Sequence, residues 1–161
     1  PSVDNESIAL QTTNTINDML INNTSLPQSV TYTVTPTSNP EGCVGSPQTV
    51  TVTVNPIPSL NTTLFPTSVC SGNTFNYIPD SDVSNATYSW SRAAIATING
   101  NTSGAGSGTI NEILSNASTT TVNVVYTYTT TANSCSNLGE DVTVVVYPDA
   151  NLNLVSAVGT D

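Results

Sequence analysis

Apolar residues alternate with threonine along much of this chain. Val30, Tyr32 and Val34 fall on one parity, and Thr31, Thr33 and Thr35 on the other. The same alternation returns in Val50, Val52 and Val54 against Thr49, Thr51 and Thr53. A period of two places successive side chains on opposite faces of a strand. The two runs therefore predict a hairpin with Val and Tyr inward and Thr outward, joined through the turn-forming Asn39-Pro40-Glu41-Gly42. The pattern then occurs a second time, over Val122 to Tyr128 and Val142 to Tyr147. Tyr32 answers Tyr126, Cys43 answers Cys135, Val50-Thr51-Val52 answers Val142-Thr143-Val144, and Pro56 answers Pro148. "TINDML" at Thr15 to Leu20 likewise answers "TINEIL" at Thr109 to Leu114. The spacing is 94 residues before the cysteine and 92 after it, which places a two-residue insertion within Asn39 to Cys43. A period near 90 exceeds a solenoid unit and suits a small all-β domain.

The chain thus reads as an excerpt from a tandem array. Residues 1–58 are expected to be the C-terminal part of one repeat, 59–149 a complete repeat, and 150–161 the start of a third. Further strands are expected at Ser7 to Leu10, Leu60 to Leu64, Thr74 to Ile78, Tyr88 to Trp90 and Thr109 to Leu114. Thr15 to Ile21 fits a strand or one helical turn. Pro79 to Asn85 reads as a polar loop, and the Gly/Ser/Asn-rich Asn99 to Gly108 as a mobile one. Six or seven short strands over Leu60 to Pro148, with regular turn signals, form the profile of an immunoglobulin-like β-sandwich. Residues 1–56 match only the second half of that repeat. Three or so strands cannot close a sandwich. The missing half is expected ahead of Pro1, the alternative being a neighbouring chain that supplies it. The link Asn55-Pro56-Ile57-Pro58 is expected to be extended and semi-rigid. In the same register a cysteine is expected directly after Asp161.

Composition narrows the role. Charged residues make up 7% of the chain, against roughly 25% in ordinary soluble domains. The net charge is -10, with Arg92 the only cation. Phosphate binding needs several Lys or Arg, so nucleic acid is excluded as a partner. Docking on anionic lipid is excluded for the same reason. No run approaches the roughly 18 apolar residues of a membrane helix. Arg92 is also the only trypsin site, so the folded chain should resist that protease.

Catalysis lacks its usual residues. Without His or Lys there is no Ser-His or Cys-His pair and no Schiff base. The carboxylate pairs Asp80/Asp82 and Glu140/Asp141 sit in turn-like sequence, where Asp bonds its own backbone. No enzyme is expected and no cofactor is required. Asp80 and Asp82 are weak calcium candidates, since such Asp-x-Asp loops supply oxygen ligands; Asp149 is a weaker one. Asn-x-Ser/Thr occurs at Asn5, Asn22, Asn23, Asn61, Asn85, Asn101 and Asn116, mostly as a consequence of composition. Trp90 reads as core rather than as a ligand platform, with Arg92 pairing an acidic neighbour or covering it.

The three cysteines have no CxxC spacing. Cys70 and Cys135 lie within one expected repeat and are expected to form a disulfide at one end of the sandwich, closing a loop of about 65 residues. Cys43 takes the place of Cys135 one repeat earlier and is expected to pair outside the chain. Disulfides would imply an extracytoplasmic location; three buried free thiols are the alternative.

The segments "VCSGNTFNYIP", "ATYSWSR", "GSGTINEILSNAS", "VVYTYTTTANSC" and "VTVTVNPIP" resemble the PKD-like, immunoglobulin-like repeats of very large Bacteroidota cell-surface proteins. These include gliding-motility adhesins of the SprB type and other cargo of type IX secretion. The chain departs from the pattern at Tyr147-Pro148-Asp149-Ala150, which replaces the Asn-Pro-x-Pro link, and at the Glu41-Gly42 insertion. The resemblance implies a structural, adhesive repeat of an extracellular, outer-membrane-associated filament. Its partners would be neighbouring repeats of the same polypeptide and surface polysaccharide or other cells. The alternative is a carbohydrate-binding or spacer module of a secreted polysaccharide-degrading enzyme. An exposed aromatic platform would favour that alternative.

Overall fold

The Val/Thr alternation has no face for a helix to bury, and β-branched side chains suit a pleated surface. The computed structural model describes residues 3–7, 9, 11, 12, 15–99 and 102–150, and every regular element among them is a strand. In chain order these are β1 (Val3–Asp4), β2 (Ile21–Asn22), β3 (Gln28–Val34), β4 (Gln48–Val54), β5 (Val69–Cys70) and β6 (Asn73–Tyr77). They continue with β7 (Thr87–Arg92), β8 (Gly104–Ser107), β9 (Ile110–Leu114), β10 (Val122–Ala132), β11 (Cys135–Ser136) and β12 (Glu140–Tyr147). The chain divides into two compact units. One takes the described residues up to Ser59 together with Ser81–Ala86 and Thr130–Asn137. The other takes Leu60–Asp80, Thr87–Thr129 and the described residues from Leu138.

The second unit is built as a sandwich. One sheet runs in the order β5-β12-β10-β7-β8, and β6 pairs with β9 in another. β10 and β12 are antiparallel, with Val124 opposite Val144 and Tyr126 opposite Val142. Alternate side chains of both strands turn inward: Val124, Tyr126, Tyr128, Val142, Val144 and Val146 are fully buried. Phe75 and Tyr77 of β6 and Ile110 and Leu114 of β9 complete the core. Its rings meet in tilted pairs, Phe75 with Tyr126 and Tyr77 with Tyr128, each at 5.5 Å between centroids. Such contacts add to the burial of large rings.

The first unit carries the echoing hairpin. β3 pairs with β4 from Gln28↔Val54 to Val34↔Gln48, and β1 pairs with β2. Its inward parity is largely open. Val30 is 7% exposed, but Val34, Val50 and Val52 stand at 44%, 49% and 39%. The link is packed rather than loose: Pro56 and Pro58 are both buried. Asn55 Nδ2 donates to the Asn133 carbonyl at 3.1 Å, and Ser59 N donates to Asp82 Oδ1 at 3.0 Å, both within this unit.

Three local expectations need correction. Asn99 to Gly108 is not simply a mobile loop, because β8 pairs there with β7, Trp90 opposite Gly106 and Arg92 opposite Gly104. The glycines serve packing: a Cβ on Gly106 would stand 2.7 Å from Trp90 Cζ2. Of Thr15 to Ile21 only Ile21 enters a strand, and no helical turn forms there. Leu60 to Leu64 lies outside the named strands, although the Leu64 carbonyl accepts Thr143 N at 2.8 Å. Ile8 and Leu10 of the expected first strand, and 151–161 of the expected third repeat, lie outside the described residues.

Candidate functional site

The polar cluster with the most partners surrounds the chain's one cation. β7 carries Arg92 inward, where it is 3% exposed. A buried guanidinium requires a counter-ion and acceptors for its donors. Glu112 of β9 supplies the charge: Arg92 Nε donates to its Oε2 at 3.2 Å, and Arg92 Nη2 donates to its Oε1. Arg92 Nη1 donates to the Thr102 carbonyl at 2.7 Å and, more weakly, to that of Ala93. Glu112 also accepts the Tyr126 hydroxyl at 2.6 Å and Asn99 Nδ2 at 3.0 Å. Burial alone would raise the Glu112 carboxyl, but the Arg92 and Tyr126 hydrogen bonds outweigh it and hold the group below its ordinary value. Burial, reinforced by the Glu112 bond, pushes the Tyr126 phenol far above its ordinary value. Arg92 also lies over the Tyr126 ring, its Cζ 5.9 Å from the centroid. With both Glu112 oxygens and the guanidinium engaged, this geometry ties β7 to β9 and β10.

Trp90 stands beside this cluster, edge-on to Tyr126 at 5.5 Å. It is half-buried against the core, on the glycines of β8. Its indole N–H is buried without a protein acceptor.

A second cluster recurs in both units. Asn116 is 2% exposed. Its Nδ2 donates to the carbonyls of Thr120 at 2.8 Å and Val146 at 3.1 Å, while its Oδ1 accepts Ser118 N at 2.9 Å and Ser118 Oγ at 2.7 Å. Asn22 does the same with the carbonyls of Leu26 and Val54, both at 2.8 Å, and with Thr24 N and Oγ1. These two Asn-x-Ser/Thr triplets are therefore structural corners. The alignment of Asn22-Asn23-Thr24 with Asn116-Ala117-Ser118 at the 94-residue spacing already carried that signal. Glu112 and its counterpart Asp18 were aligned there too, yet neither stood out as a candidate.

The expected site residues fall elsewhere. Asp82 Oδ1 accepts Ser59 N and Ser81 Oγ, the part of a turn residue. The Asp80 carbonyl accepts Asn61 N at 2.8 Å. Glu140 Oε2 accepts Leu60 N at 2.8 Å, and Asp141 Oδ1 accepts the Thr127 hydroxyl at 2.7 Å. Among the described residues no three His, Cys, Asp or Glu side chains gather as a metal site.

The expected pairing of Cys70 with Cys135 requires a correction. No disulfide joins Cys43, Cys70 and Cys135 to one another, and the expected Cys70–Cys135 bridge is not formed. Register gives the reason. β5 runs parallel to β12 and brings Cys70 beside Tyr147, at the Val122 end of β10. Cys135 pairs with Ala132 at the other end of that strand. The extended length between those ends is about 30 Å, whereas a disulfide needs Cα atoms within about 7 Å. Cys43 lies exposed in the loop between β3 and β4.

Both halves of the repeat pattern match one known family. The family model described as PKD-like domain matches residues 1–58 and 67–150. No curated protein matches the chain as a relative. With the all-β sheets, the alternating core and a match over most of its length, the chain belongs to the PKD-like domain family.

Proposed function

We propose that this chain is a structural and adhesive repeat segment of a large extracellular surface filament, of the kind Bacteroidota use in gliding motility and surface attachment. The observation that carries the reading is the burial of the rings of the second unit's core, Phe65 and Tyr147 being the exposed ones. Tyr77, Tyr126 and Tyr128 are buried and Trp90 packs on Tyr126 and Gly106. A sugar-binding module needs such rings on its surface. The buried prolines of the link and the repetition of one corner motif in both units also favour a spacer built by duplication. In this reading the segment is non-catalytic and sits outside the outer membrane. Its partners are neighbouring repeats of the same polypeptide and surface polysaccharide or other cells.

The test is immunogold labelling of intact source cells with antibody raised against the chain, beside a glycan array probed with the chain itself. Label along surface fibres is expected, and its loss should accompany loss of attachment. Label confined inside the cell would contradict the reading. Strong glycan binding without fibres would favour the carbohydrate-binding alternative.

A further inference from the structure

We draw no further inference here: the strongest candidate, the exposed threonine face of the β3–β4 ladder in the first unit, where Thr31 lies opposite Thr51 and Thr33 opposite Thr49, carries nothing, because nothing in the structure shows what covers it.

Discussion

Two stretches of this chain carry one pattern and meet different surroundings. In the second unit, Ile110, Val142 and Val144 are fully buried; their counterparts Ile16, Val50 and Val52 in the first are 49%, 49% and 39% exposed. Tyr126 is fully buried and Tyr32 only half-buried. The hairpin itself forms in both places with matching register. Alternation and turn chemistry are thus enough to make the ladder, while burial depends on β5 to β8 standing in front of and beside it. Hydrophobic stabilisation follows the area removed from water, so one pattern should stabilise the two units unequally.

The largest expected difference is at the paired isoleucines. Ile110→Ala should destabilise the second unit by about 3 kcal/mol, through lost transfer energy and the cavity left behind. Ile16→Ala should stay within about 0.5 kcal/mol, as at an exposed site. Urea titration followed by Trp90 fluorescence reads the second unit, and circular dichroism reads the whole chain. Equal costs would erase the comparison.

The paired carboxylates should differ next. Glu112→Gln leaves the Arg92 guanidinium buried beside a neutral group, at a cost of about 2 kcal/mol given the partial exposure of Glu112. Asp18→Asn, with no buried cation beside it, should leave stability nearly unchanged. Acid titration sharpens the point. Glu112 has a folded value below its ordinary one, so its contribution is present above the ordinary glutamate value and lost as pH falls through the folded one. The acid limb of the stability profile should therefore flatten in the Glu112→Gln chain. At the other extreme, burial raises Tyr126 and Tyr128. Their contribution is complete below the ordinary tyrosine value near 10, and it declines as pH rises above that value.

The smallest contrast should be at the corners, where the two units agree. Asn116→Ala and Asn22→Ala each remove side-chain bonds to two carbonyls and should cost about 1 to 2 kcal/mol apiece. Local amide exchange at Ser118 and Thr24 would register each loss. A silent Asn22→Ala would mean that the first unit does not hold this corner in solution.

The sequence made some of this legible and hid the rest for definable reasons. All-β class, the two hairpins and the buried parity of β10 and β12 follow from alternation, a local signal. β8 was hidden because Gly104-Ala105-Gly106 reads as flexibility until Trp90 is placed against it. The absence of a Cys70–Cys135 bridge was hidden because sequence shares out residues among repeats without saying which end of a sheet each reaches. The parallel pairing of β5 with β12 decides that. Arg92 finds Glu112 across 20 residues, and only the fold brings them together. The echo between Asp18 and Glu112 was present throughout and gained meaning once Glu112 was seen to bind Arg92 and Tyr126.

The central claim is that one ladder is buried on its inward face and its echo stands largely exposed. Hydrogen–deuterium exchange of the intact chain at neutral pH, resolved by residue, tests it most directly. The account predicts that amides of β10 and β12 from Val124 to Tyr128 and from Val142 to Val146 exchange only through large-scale opening. Those of β3 and β4 should exchange orders of magnitude faster, through local opening. Equal protection of the two ladders would contradict the claim.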